Sequence, residues 1–270
     1  MPLPRLRFNI AYNGAGFSGW QSQPDNSAIQ DHFRKALETV LRIKDPWMVA
    51  ASRTDAGVHA EMQIAAVDVS DPCPDLLKLQ RSLNALLPDD VGIRSIVVAD
   101  PGFHPVYAAV AKVYRYRLWT GGWDNPFLRD FAWRIRELRD GAALIQNLDS
   151  LCGTHDFSSF CAADSSAKTR ERTIIDAQIE LSGDLVDLWI QGSGFLKQMV
   201  RNIVGTLVDL DLGKLDPAKD MAAILSVRDR TLAGRTAPAR GLALVHIDFD
   251  QITPLHKVIS RAGTGFKVAL

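Results

Sequence analysis

From position 5 to position 12 the chain alternates: Leu6, Phe8, Ile10 and Tyr12 take one parity, and Arg5, Arg7, Asn9 and Ala11 the other. A period of two puts the first set on one face of a strand and the second on the opposite face, so this segment reads as a half-buried strand. The apolar period then changes. Ile29, Phe33, Leu37, Val40 and Leu41 share one helical face, and Ser27-Ala28-Ile29-Gln30 ahead of them has the spacing of a capping box. Residues 62–69 read as a strand, 76–87 as a helix opening near Pro74-Asp75, and 91–98 as a further strand. Strand-helix-strand-helix-strand over one stretch is the pattern of an α+β layer, helices packed on a sheet.

The second half repeats the theme loosely. Residues 112–119 read as a strand and 141–151 as a helix, and 174–181 with 185–191 as a hairpin through Ser182-Gly183-Asp184. Residues 198–210 and 216–226 read as helices, and 242–249 as a closing strand. The pattern is weakest over 100–107, where Pro101, Gly102 and Pro105 interrupt it. The expected organisation is two similar α+β lobes, 1–105 and 106–270, sharing a cleft.

Composition narrows the class. At 47% hydrophobic and 23% charged the chain resembles ordinary globular proteins. No apolar run approaches the roughly 18 to 20 residues that span a bilayer, so no membrane partner is expected. The opening Met-Pro-Leu-Pro-Arg-Leu-Arg lacks a secretory core. Three cysteines, Cys73, Cys152 and Cys161, without a CxxC pair, favour reduced thiols and a cytoplasmic location. Lys plus Arg equals Asp plus Glu at 31 each, a formal net charge of zero. That counts against a nucleic-acid partner without excluding one, because a cleft of one sign can focus field while the remaining surface cancels it.

Two motifs could carry chemistry. Gly14-Ala15-Gly16-Phe17-Ser18-Gly19 matches G-x-G-x-x-G after a strand, but Trp20-Gln21-Ser22-Gln23-Pro24 follows where a dinucleotide site needs a helix. A turn that admits a close backbone approach is the better reading. Between a helix and the strand at Met62, the run Arg53-Thr54-Asp55-Ala56-Gly57-Val58-His59-Ala60 collects an arginine, a carboxylate and a histidine. The residues alone leave open a solvated loop, a local ion pair, or one carboxylate presented from a tight turn. His59, His104 and His155 lie far apart without HxH or HxxxH spacing, so they read as satisfied structural histidines and no metal is expected.

Asp55 and its neighbours also carry a resemblance. Arg-Thr-Asp-Ala-Gly-Val-His-Ala is similar to the signature of the tRNA pseudouridine synthase A family, and with six further blocks it makes an ordered set along nearly the whole chain. Tyr12 to Gln23 resembles the family's Tyr-x-Gly…Gly-Trp-Gln-x-Gln stretch, Phe103-His104 its Phe-His element, and Lys112-Val-Tyr-Arg-Tyr116 its basic-x-Tyr-x-Tyr strand. Gly153 to Phe160 resembles Gly-x-His-Asp-Phe-x-x-Phe, and Phe195 to Gly205 and Thr236 to Leu242 resemble the two C-terminal blocks. The chain departs at Pro105-Val106, where the family usually has an arginine, at Gln198, where a histidine is common, and at Ala243, where an aromatic often stands.

The resemblance implies two ferredoxin- or RRM-like α+β lobes sharing a mainly antiparallel sheet, with helices on one side and the active-site cleft between lobes. It implies isomerisation of uridine to pseudouridine in the tRNA anticodon stem-loop, at positions 38, 39 and 40, by a homodimer with the RNA lying across both subunits. No cofactor is implied, since the reaction breaks C1′–N1 and rejoins the base through C5 without redox change. By the same likeness Asp55 is the nucleophile, Arg201 its cationic partner, and Tyr114 the platform beneath the base, with Arg53 and Leu244 as further substrate contacts. A stem uridine must be flipped out to react, and Arg53 is long and planar enough to fill the vacated stack. Without the resemblance Tyr114 reads as a sheet-face core tyrosine. Three basic clusters, Lys112/Arg115/Arg117, Arg134/Arg136/Arg139 and Lys168/Arg170/Arg172, read either as solvated faces or as RNA backbone contacts. A non-catalytic RNA-binding module with Tyr114 and Tyr116 as stacking platforms is the second reading, and a nicotinamide-dependent enzyme a distant third.

Overall fold

A computed structural model of the chain describes residues 3–69, 73–136, 138, 141–216 and 220–262. It divides into two compact units, Met1–Val110 with Leu244–Gln251, and Ala111–Ala243 with Ile252–Leu270.

In the first unit β1 (Arg5–Tyr12) is the expected alternating strand, its parity recurring as alternate full and partial burial. Antiparallel neighbours flank it: β3 (His59–Asp68) on one side and β4 (Val91–Ala99) on the other. A three-residue strand, β2 (Met48–Ala50), pairs antiparallel with β3, and β10 (Leu242–Asp248) lies beside β3 as well. Three residues are too few to show a period, which hides β2 in the sequence.

Helix α1 (Ile29–Leu41) lays Ile29, Phe33, Ala36 and Leu37 inward, and Phe33 meets Phe8 of β1 edge-on at 5.1 Å. Leu6, Phe8, Ile10 and Phe33 have no exposed surface, and burying each contributes about 1.5–3 kcal/mol. Ser27 is not the cap expected there. The helix begins one residue later, and Asp31 reaches back to the amide of Ala28 at 3.2 Å, while Ser27 Oγ bonds Ser18 and Asp25. Asp75 does cap α2 (Leu76–Asn84), accepting from the amides of Leu77 and Lys78. That helix stops three residues short of the expected end, because Asn84 turns to bond the backbone of Ile93 in both directions. Pro105 opens a single helical turn, α3 (Pro105–Ala108).

In the second unit β9 (Leu185–Gly192) lies antiparallel between β5 (Ala111–Trp119) and β8 (Glu171–Ser182). β7 (Gly153–Asp156) adds to β8, and the two-residue β6 (Trp133–Arg134) runs parallel to β5. The β8–β9 hairpin turns through Gly183-Asp184, with Gly183 at φ +58°. Helices α4 (Gly141–Asp149), α5 (Met199–Asp211), α6 (Met221–Val227) and α7 (Leu255–Ala262) complete the unit. Helix α6 starts at its cap Asp220, later than the expected 216, and residues 217–219 lie outside those described. Both units are therefore α+β with mainly antiparallel strands. Among the described residues no helix is long and apolar enough to cross a membrane.

Candidate active site

Asp55 sits half-buried in the loop 51–58 that joins β2 to β3. The pairing of β2 with β3 closes both ends of this loop, and Ala51 N extends the ladder to Ile64 O at 2.8 Å. Val58 N returns to Asp55 O at 3.1 Å, and Gly57 takes φ +77°, so Asp55 opens a tight turn. Thr54, only 6% exposed, shares a 2.8 Å hydrogen bond with Tyr12 Oη. Gln63, fully buried in β3, bonds Ser52 through both backbone groups and reaches Tyr12 Oη at 3.4 Å.

The glycine-rich loop supplies the other wall. Trp20 N donates to Thr54 O at 3.1 Å, Gly57 N donates to Phe17 O at 3.2 Å, and Gly14 N donates to His59 Nδ1 at 3.1 Å. A Cβ at Gly14 would stand 2.0 Å from Val58 O, and one at Gly19 2.5 Å from Thr54 O. These glycines serve a close approach of two backbones, as the sequence indicates, and the helix that a dinucleotide site would need is absent from this loop. Trp20, 2% exposed, stacks on Tyr12 behind the Asp55 loop. Arg53 is exposed beside Asp55.

In the second unit Tyr114 lies on β5 opposite Ile190 of β9, 6% exposed, with Phe195 edge-on at 5.0 Å. Lys112, two residues back on the same face, has its ammonium lowered to about 8 by burial, reinforced by repulsion from Arg172. Tyr116 is completely buried and donates to Pro238 O at 2.8 Å, with burial holding its hydroxyl well above the usual phenol range. Tyr116 therefore cannot serve as a stacking platform, which removes half of the binding-module reading.

Arg201 occupies the first turn of α5. Its Nε donates to Ala237 O at 2.8 Å, and Ala237 N donates to Arg201 O at 3.0 Å. The residues behind this latch are ones the sequence reading passed over. Asn202, Thr206 and Asp209 recur at helical spacing on α5, all 5% exposed or less. Asn202 donates to Phe160 O and accepts from Arg230 and Thr236, Thr206 Oγ1 accepts from Gly234 N, and Asp209 accepts from Arg235. A Cβ at Gly205 would fall 1.8 Å from Arg235 O, so the 234–237 segment rests directly on the helix. Three polar side chains at spacing 4 and 3 on the face that also carries Met199 and Ile203 to the interior were the available signal. Gln198 enters this helix at φ +59°, a left-handed conformation that L-residues seldom adopt. Leu244, the remaining candidate, has no exposed surface in β10.

Ion pairing removes part of the basic clusters. Arg117 makes a bidentate pair with Asp187 at 2.7 and 2.6 Å, and Arg134 is bound by Asp124. Arg136 and Lys168 are exposed, Arg170 and Arg172 half-buried, and Arg139 lies outside the described residues. Of the three histidines, His59 Nδ1 accepts from Gly14 and His155 Nε2 bonds Cys152 O, as satisfied structural residues should. His104 differs: its ring stacks on Tyr107 at 4.3 Å, but its buried Nδ1 lacks a hydrogen bond. Among the described residues no group of three His, Cys, Asp or Glu side chains is placed to hold a metal.

Comparison with known proteins defines the class first. A family profile described as tRNA pseudouridine synthase matches residues 148–250, which include β7 to β10, Tyr114's partner Phe195 and the Arg201 helix. The tRNA pseudouridine synthase A of Geobacillus kaustophilus is 39% identical over 256 residues, 94% of this chain and 98% of that protein. Those of Shouchella clausii, at 38% over 250 residues (92% and 95%), and Bacillus subtilis, at 39% over 247 residues (91% and 99%), match as extensively. The chain belongs to the tRNA pseudouridine synthase A family.

Proposed function

We propose that this chain converts uridine to pseudouridine in tRNA, with Asp55 as the group that initiates the rearrangement. The observation that carries the reading is the single carboxylate held half-buried at a turn whose backbone is clamped by the glycine-rich loop. The reaction is an isomerisation: C1′–N1 breaks, C1′–C5 forms, and the hydrogen on C5 leaves to solvent as N1 gains one. It requires a carboxylate to attack sugar or base, or to take the C2′ proton, and a setting that controls the detached base. Clamping the Asp55 backbone supports pre-organised attack, because small displacements of a reacting group are costly.

Arg201 is assigned as the cationic partner of Asp55, and its Nε latch to Ala237 O restricts the guanidinium before substrate arrives. Tyr114 is assigned to the detached base, Arg53 to the gap left in the stem, and Leu244 to a further substrate contact. The substrate region is the anticodon stem-loop at positions 38, 39 and 40, and the working form is a cytoplasmic homodimer with one RNA across both subunits. Replacing Asp55 with Asn or Ala should abolish tritium release from C5-labelled uridine in tRNA while leaving tRNA affinity within a few-fold of wild type. Retained turnover in either variant would refute the assignment of Asp55.

A further inference from the structure

The second unit contains a concavity of about 440 Å³ that the reaction does not use, bordered by Ser158, Cys161, Arg170, Arg228, Asp229 and Arg230. Its charge is unbalanced. Arg170 donates to Cys161 Sγ at 2.8 Å and to Ser165 O at 3.3 Å. Arg230 donates to Gly234 O, Asn202 Oδ1 and Thr236 Oγ1, none of them a carboxylate. Arg228 stands at a long 3.7 Å from a carboxylate, Asp156, with its side chain 67% exposed, and Arg170 lies near enough to help hold that carboxyl below its usual range. The two nearby carboxylates are engaged by their own turns: Asp156 accepts from Ser158 N and Oγ, and Asp229 from Thr231 N and Oγ1. Three guanidiniums therefore stand against two carboxylates here, which leaves one positive charge in excess.

We propose that this concavity is a phosphate site and that its ligand is a backbone phosphodiester of the tRNA, distinct from the reacting nucleotide; the inference rests on the tRNA reading above. Guanidinium groups match phosphate oxygens in geometry as well as charge. The space is far larger than one phosphate group and has small Ala162 and Ala163 side chains in its wall, which leaves room for the sugars on either side of a phosphodiester. Burial already holds the Arg230 guanidinium below its usual range, a cost that a bound anion offsets. The wall is also continuous with the catalytic helix. Asn202 joins Arg230 to Phe160 O, beside Ser158, and is the residue next to Arg201. A phosphate held here is therefore referenced to the helix that presents Arg201, which is how backbone contacts set register without reading sequence.

The test is tRNA binding by the full-length chain, measured by anisotropy across a potassium chloride series. In the Arg170→Gln/Arg228→Gln variant the plot of log Kd against log salt should become shallower by about 0.7–0.9 for each phosphate that is no longer neutralised. Affinity at low salt should fall about tenfold, with kcat/KM falling in step through KM. The Arg170→Lys/Arg228→Lys variant should recover the slope, and if the Gln pair does not fold, the exposed Arg228→Gln alone gives the same comparison. A wild-type slope in the Gln variants would overturn the proposal. Saturable binding of inorganic phosphate that these variants abolish, with an unchanged tRNA slope, would also overturn it by assigning the site to a free anion. Wild-type protein that neither binds tRNA nor releases tritium would instead refute the functional reading itself, so the two failures are separable.

Discussion

Gly14 and His59 are joined by a 3.1 Å hydrogen bond from the Gly14 amide to Nδ1 of the imidazole, which fastens the glycine-rich loop to the start of the strand that follows Asp55. The contact exists only because Gly14 has no side chain: a Cβ there would lie 2.0 Å from Val58 O, a rigid backbone atom. Gly14→Ala should therefore displace the Asp55 turn. A stability loss of about 1–3 kcal/mol is expected in urea denaturation, with a drop of about a hundredfold in kcat from the shifted carboxylate. Unchanged kcat in the folded variant would show that the clamp does not position Asp55.

The polar row on α5 makes a second expectation. Asn202→Ala removes a buried donor to Phe160 O and the acceptor shared by the half-buried Arg230 and Thr236. Leaving such groups unsatisfied should cost about 3 kcal/mol and loosen the segment that latches Arg201. The informative readout is kcat against KM for the folded variant at low temperature: kcat should fall and KM stay within a few-fold. A fall in stability with kcat intact would make Asn202 purely structural.

Lys112 gives a pH signature. Its ammonium is depressed from 10.5 to about 8 by burial, with Arg172 adding to the effect. Below pH 8 the folded state carries the full penalty of a half-buried cation. Between about 8 and 10.5 the unfolded chain binds the extra proton, so raising the pH through this window stabilises the fold, by up to about 1.4 kcal/mol per pH unit. In Lys112→Met this contribution disappears. Urea denaturation of both proteins at pH 7 to 10 should show the variant's relative stability decreasing as pH rises through the window, and parallel profiles would show that Lys112 does not titrate there.

Tyr116 separates the enzyme from a simple stacking module. Its hydroxyl is spent on Pro238 O and its ring is completely buried. Tyr116→Phe should cost about 1–2 kcal/mol of stability by leaving that carbonyl without its donor, and tRNA affinity should remain at the wild-type value. Weakened RNA binding in the folded variant would restore Tyr116 as a contact.

Local pattern determined much of this protein. The parity of Leu6, Phe8, Ile10 and Tyr12, the spacing of Ile29, Phe33 and Leu37, and the Gly183-Asp184 hairpin each follow from chain periodicity, which a sequence displays directly. The spacing after Gly19 likewise showed that the glycines admit a neighbouring backbone rather than a dinucleotide. Three-residue β2 and single-turn α3 are too short for a period, and α1 starts one residue later than its pattern predicts because Asp31, not Ser27, supplies its capping bond. What only tertiary structure decided are relations between residues distant in the chain: Gly14 against Val58, Tyr12 with Thr54, Arg117 withdrawn by Asp187, Tyr116 closed off by Pro238, and Arg170 brought to one concavity with Arg228 and Arg230. Hydrogen bonds and charge pairing depend on distance in space, and no spacing along the chain encodes which of two equivalent arginines will meet a carboxylate.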